Sequence, residues 1–163
     1  MEEEKILEAL RQACPDAVLS AEVSLGDAVA VIRREALLEV AAFLRGGTLR
    51  MGMLLDLTCV HHPGRAEEFE MVYHFLSLET NARIRVKAGL PADNPEIASL
   101  TGLWKNAAWL EREVYDMFGV RFAGHPDLRR LLLYDGFEGH PLRKDYPLRK
   151  RQPRIPLRKA EPK

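Results

Sequence analysis

Hydrophobic positions along the chain recur with two periods, and the switches between them predict the elements. From Glu2 to Ala13, Ile6, Leu10 and Ala13 share one face of a short helix that Pro15 stops. Residues 17–23 and 28–32 read as strands around a Gly26-Asp27 turn. Residues 35–45 read as a helix with Leu37, Leu38, Ala41 and Leu44 inward, and Gly46-Gly47 predicts a left-handed C-cap. The apolar run 51–60 suits a central strand, ended by a loop at His61-His62-Pro63-Gly64. Residues 69–78 and 82–88 predict a hairpin; in its second strand Ile84, Val86 and Ala88 alternate with Arg83, Arg85 and Lys87. Asn94-Pro95-Glu96 carries the signals of a helix start. After Gly102 a second helix is predicted over 103–118, closed by Gly119. Strand pairs joined by tight turns imply an α+β fold: a mixed, largely antiparallel sheet with helices packed on it.

Beyond that helix the periodicity ends. Residues 111–147 begin helical and become a Pro- and Gly-punctuated segment dense in Arg, Asp, His and aromatics. Gly124-His125-Pro126 recurs as Gly139-His140-Pro141, and each copy precedes a Leu and a basic pair, Arg129-Arg130 and Arg143-Lys144. Such a segment is too polar for a core of its own and too rich in Leu and aromatics for a solvated tail. It is expected to be an extended C-terminal arm, stretched away from the body and ordered against a partner. The predicted organisation is an α+β domain over 1–119, a docking arm over 120–148 and a basic, flexible tail over 149–163. The tail repeats one phrase at Pro141-Leu142-Arg143-Lys144, Pro147-Leu148-Arg149-Lys150 and Pro156-Leu157-Arg158-Lys159, which favours polyproline-like extension.

Charge sharpens this division. The net charge is zero, yet residues 143–163 hold nine Lys/Arg against two acids, so residues 1–142 carry the balancing −7. An acidic body with a basic tail fits an acidic protein surface, anionic lipid or nucleic acid, or simply a solvated tail, which is the reading charge alone favours. A hydrophobic content of 47% supports a real core. No apolar stretch approaches the roughly 20 residues of a membrane span, and the acidic start Met1-Glu2-Glu3-Glu4 fits no leader sequence. Two cysteines, Cys14 and Cys59, predict a reducing compartment rather than a disulfide framework.

Candidate chemistry is sparse. Phosphate-loop, dinucleotide and nucleophile-elbow patterns are missing, and no His-x-x-x-His or Cys-x-x-Cys spacing occurs. Two cysteines fall short of the about four thiolates of an iron–sulfur cluster. His125, Asp127, His140 and Asp145 form a metal set only if the arm folds back on itself, and histidines between Gly and Pro suit turns fixed by ring-to-backbone hydrogen bonds better. On the helix over 103–118, Leu103, Ala107, Leu110, Val114 and Met117 form a core stripe. Glu111 stands in the adjacent apolar row with Trp104, Ala108, Tyr115 and Phe118, so Glu111 and Glu113 read as anchors for arginines. Arg112 and Asp116 read as an i, i+4 bridge on the outer face.

Glu111-Arg112-Glu113-x-Tyr115-Asp116-Met117-Phe118-Gly119, Phe122, Gly124-His125-Pro126-Asp127-Leu128-Arg129-Arg130 and Gly139-His140-Pro141-Leu142-Arg143-Lys144-Asp145-Tyr146-Pro147 resemble a known signature. It is that of the thirty-kilodalton subunit family of respiratory complex I, which in bacteria supplies the C subunit of NADH-quinone oxidoreductase. Trp104, Ala108 and Trp109 fit the same family. Phe137 stands where Trp is expected and Tyr134 where Pro is common, and beyond Pro147, where the family often carries Leu and Gly, Leu148 is followed by the basic tail. The resemblance implies an α+β subunit of the peripheral arm of a proton-translocating NADH:quinone oxidoreductase, on the cytoplasmic side of the inner membrane. It implies no catalytic residue, cofactor or metal in this chain; FMN, iron–sulfur clusters and quinone belong to the partner subunits. The implied partners are the quinone-site subunit, of the forty-nine-kilodalton type, and neighbouring cluster-bearing subunits, with no nucleic acid. It implies docking roles for Glu111, Arg112, Glu113, Tyr115, Asp116, Phe118 and Gly119, for His125, Pro126, Asp127, Arg129 and Arg130, and for His140, Pro141, Arg143, Lys144, Asp145, Tyr146 and Pro147. Energy-converting membrane hydrogenases carry a related subunit, which is the alternative assignment.

Overall fold

The computed structural model describes residues 2–153; the last Pro-Leu-Arg-Lys phrase, at 156–159, lies outside them. The elements run α1 (Glu2–Ala13), β1 (Val18–Ser24), β2 (Asp27–Ile32), a 3-10 turn (Arg34–Ala36), α2 (Leu37–Gly46), β3 (Met53–His61), β4 (Phe69–Leu76), β5 (Arg83–Leu90), β6 (Glu96–Ala98), α3 (Ala107–Phe118) and β7 (Arg121–Ala123). Five strands form one sheet in the order β1-β2-β5-β4-β3. Only the β2–β5 pair is parallel, so the sheet is mixed and largely antiparallel, as its alternation predicts.

One face of this sheet makes the core. Phe69, Met71, Tyr73 and Phe75 of β4 lie beside Ile84, Val86, Ala88 and Leu90 of β5, all at most 1% exposed. Leu10 of α1 and Val40 and Leu44 of α2 complete it. At roughly 2 kcal/mol for each fully buried large apolar side chain, this layer is a large favourable contribution to folding. The opposite face keeps Arg85 paired with Asp27 at 2.7 Å and Lys87 with Glu70 at 3.0 Å.

Several local expectations yield to tertiary packing. Asn94-Pro95-Glu96 starts no helix: β6 pairs in parallel with β7, and the Arg121 N–H bonds the Pro95 carbonyl at 2.8 Å. This distant pairing, with Ile97 buried, overrides the capping signals. β3 is an edge strand, not a central one. Its inward side chains Leu54, Leu57 and Cys59 are buried, and its open edge is covered where Trp104 Nε1 and Asn106 Nδ2 donate to the Gly52 and Leu54 carbonyls. α3 begins at Ala107, not 103, after turns over 101–106. Gly47 is extended, not left-handed, and its glycine is required because a Cβ would stand 2.6 Å from the Phe43 carbonyl oxygen. Leu38 and Ala13 face outward, and Cys14 fills the place beyond Leu10.

Candidate docking surface

The arm is not stretched away. It has little regular structure after β7, yet it folds back over the C-terminal end of α3. The last four carbonyls of a helix lack partners within it. Here the Gly119 N–H caps Tyr115 in the left-handed conformation (φ +78°). His140 Nδ1 donates to the Asp116 carbonyl at 3.0 Å, and the Leu142 N–H to that of Met117 at 3.1 Å. Arg143 Nε donates to the Phe118 carbonyl while its guanidinium lies 4.9 Å from the Phe69 ring centre. Arg130 and Arg143 thereby sit at the negative end of the helix dipole.

Asp116 is the knot. Its carboxylate is fully buried and accepts the N–H groups of Leu131, Leu132 and Leu133 at 3.0, 2.8 and 2.9 Å. Arg130 Nη1 closes the set at 2.7 Å. Burial alone would raise its pKa. The Leu133 N–H, Arg130 and the Leu132 and Leu131 N–H groups outweigh burial and hold it below the usual aspartate range. The predicted Arg112–Asp116 bridge is therefore not formed. Arg112 instead donates to the Arg129 and Arg130 carbonyls and lies 5.1 Å from the Trp109 ring centre.

Both Gly-His-Pro copies work as turn fasteners. His125 Nδ1 accepts the Asp127 N–H at 3.0 Å, which leaves the Nε2 proton to donate to the Ala108 carbonyl at 3.1 Å. Both ring nitrogens are thus engaged with backbone, away from the metal role weighed for His125. The arm reaches the sheet where the Lys144 N–H donates to His61 Nδ1 at 2.9 Å. An accepting Nδ1 puts the His61 proton on Nε2, facing Glu68 at 3.3 Å, so Asp145 at 4.0 Å from Nδ1 is not its ion-pair partner. Phe137 stacks on Tyr146 at 6.2 Å and meets Tyr134 edge-on at 5.7 Å, so the two unusual family positions form one aromatic cluster within the arm. Tyr115 meets the His140 ring edge-on.

Glu111 anchors no arginine. It is fully buried and accepts Ser99 Oγ–H at 2.7 Å and the Leu100 N–H at 2.6 Å, and burial raises its pKa to about 7. Glu113 is exposed. The signature therefore divides. Asp116, Gly119, His125, Arg130, His140 and Arg143 bind the arm to the body. Exposed Pro126, Pro147 and Lys144 and the exposed Asp127–Arg129 pair (2.9 Å) remain on the surface. Trp109, Leu132, Leu142 and Leu148 are exposed as well, at 60%, 64%, 52% and 103%. The carbonyl-capping role of the arm was missed in the sequence; its trace was two His-plus-basic clusters following a helix whose last turn holds no basic residue.

These features define a class: an α+β sheet domain whose C-terminal segment is locked over the end of its last helix. The chain belongs to the family of the respiratory-chain NADH dehydrogenase 30 Kd subunit, whose model matches residues 30–152. It is 47% identical over 144 residues to the C subunit of NADH-quinone oxidoreductase from Roseiflexus sp. (strain RS-1), covering 88% of this chain and 83% of that one. It is 52% identical over 134 residues to the same subunit from Rhodobacter capsulatus, covering 82% and 67%. Among solved structures it resembles the trypsin-resistant fragment (1-134) of Nqo5, with TM-score 0.68, 33% identity and coverage of 78% of this chain and all of that one. A chain of an archaeal membrane-bound sulfane sulfur reductase shares the fold at TM-score 0.79 and 23% identity, over 91% and 87%.

Proposed function

We propose that this chain is a non-catalytic docking subunit in the peripheral arm of a proton-translocating NADH:quinone oxidoreductase. It braces the quinone-site subunit and neighbouring cluster-bearing subunits on the cytoplasmic side of the membrane, while FMN, iron–sulfur clusters and quinone reside in those partners. The observation that carries this reading is the division of the arm. Half-buried Arg130 and Arg143 fix it to α3, and Leu132, Leu142 and Leu148 of the arm, with Trp109 of α3, are left facing outward. An apolar and aromatic surface held in one shape meets a partner with little ordering cost. Among the described residues no helix is long and apolar enough to cross a membrane, which fits attachment through partner subunits.

The test is affinity purification of the tagged full chain from gently solubilised membranes, followed by mass spectrometry. The expected result is co-purification of a quinone-site subunit with flavin- and cluster-bearing subunits. Recovery with a nickel–iron hydrogenase large subunit would move the chain to the hydrogenase alternative. A partner-free chain would end the docking reading.

A further inference from the structure

One buried titratable group has no part in fastening the arm. Glu111 is 0% exposed, and its oxygens meet only Ser99 Oγ and the Leu100 N–H, with no cation bonded to it among the described residues. A buried carboxyl without a counter-charge favours its neutral form. A path for the proton is present. Ser99 Oγ also lies 2.9 Å from Thr101 Oγ1, and Thr101 is partly exposed. The Thr101 N–H donates to Ser99 Oγ at 3.2 Å, which holds that hydroxyl in line. From the sheet the facing titratable group is Tyr73 of β4, fully buried with its Oη unpaired. Burial first, and then the Glu111 charge, push the Tyr73 pKa well above its usual value, so it stays neutral and adds no second negative charge beside Glu111. The titration of Glu111 itself is governed by burial, then Ser99, then Leu100, with no Lys, Arg or His contributing among the described residues.

We infer that Glu111 is a reversible proton-binding site inside this subunit, filled from solvent through the hydroxyls of Thr101 and Ser99. An acid in solution gives its proton to Thr101 Oγ1. Thr101 passes its own proton to Ser99 Oγ, and Ser99 passes its own to Glu111 Oε2. Each hydroxyl keeps one hydrogen, one proton enters, the carboxylate becomes neutral and nothing is oxidised or reduced. The inference stands on this chain alone and is independent of which partners it docks.

The test is a carbon-13 titration of the full chain labelled at glutamate side-chain carboxyls. One signal, absent from Glu111→Gln, is expected to titrate with a midpoint of about 7. Thr101→Val removes the hydroxyl and nearly keeps the shape. It is expected to leave the midpoint within about half a unit and to slow exchange between the two forms at least about tenfold. Thr101→Ser is expected to restore the rate. A midpoint below about 5 would remove the site, because that is the range of an ordinary glutamate. Unchanged exchange in Thr101→Val would remove the relay. If Glu111→Gln does not fold, the signal is assigned in Ser99→Ala, whose lost hydrogen bond moves the same midpoint upward.

Discussion

Replacing Asp116 by Asn tests whether one carboxylate holds the arm. The wild-type group accepts three backbone N–H groups and Arg130, all within 3.0 Å. Hydrogen bonds to charged groups are worth roughly 1.5–3 kcal/mol each. Asn keeps one acceptor oxygen and turns the other into a donor that faces donors, so about half the set is lost and Arg130 loses its counter-ion. The expected cost is about 3–5 kcal/mol. It falls on the arm rather than the body, because the buried core lies in the sheet and helices while arm residues Leu128 and Leu133 only pack against it. By the rule that each 1.4 kcal/mol is tenfold, local opening rises on the order of 10²–10³-fold. Amide hydrogen exchange read by mass spectrometry should show that acceleration in peptides containing residues 131–133 and 140–144, with β4 and β5 unchanged. Equal exchange in variant and wild type would refute the knot. Equal acceleration of β4 and β5 would refute the independence of arm and body. Acid should act similarly: a carboxylate held below its ordinary 3.8 contributes stability present above pH 3.8 and lost as pH falls through the lower folded value.

Glu111 carries the opposite sign. With its pKa raised from 4.5 to about 7, its favourable linkage is complete below pH 4.5 and gone once pH rises past about 7. Denaturant titrations should show roughly 3 kcal/mol of stability lost across that window, and Glu111→Gln should flatten the dependence. Gly119→Ala puts a Cβ 2.6 Å from His140 Nε2 in a left-handed conformation, so thermal melts and exchange should report a loss above about 1 kcal/mol with the arm released. Arg130→Glu should release the arm as Asp116→Asn does. Arg129→Glu, whose side chain is 71% exposed, should leave exchange unchanged and alter only recovery of partner subunits in the purification.

The sheet was legible because the β5 alternation of Ile84, Val86 and Ala88 with basic residues states its buried face outright. The ring-to-backbone roles of His125 and His140 were also legible, since a histidine between Gly and Pro has few other uses. Asn94-Pro95-Glu96 misled because capping signals are local, whereas the β6–β7 pairing joins residues 25 positions apart. Asp116 misled for a related reason. An i, i+4 Arg is the nearest partner in sequence, yet three consecutive N–H groups from 131–133 reach the carboxylate first. The direction of the arm was not legible because much of its landing site, the backbone carbonyls of Asp116, Met117 and Phe118, carries no side-chain signature.

The contact between Lys144 and His61 spans 83 residues and ends on the terminal residue of β3. His61 points inward there and stacks on Phe69, the ring that Arg143 also covers. A one-residue slip of β3 against β4 would turn His61 to the other face and remove the landing site. The register of one strand pair and the seating of a segment 83 residues later are thus tied through a single ring: the β3 edge sets where Arg143 and Lys144 come to rest.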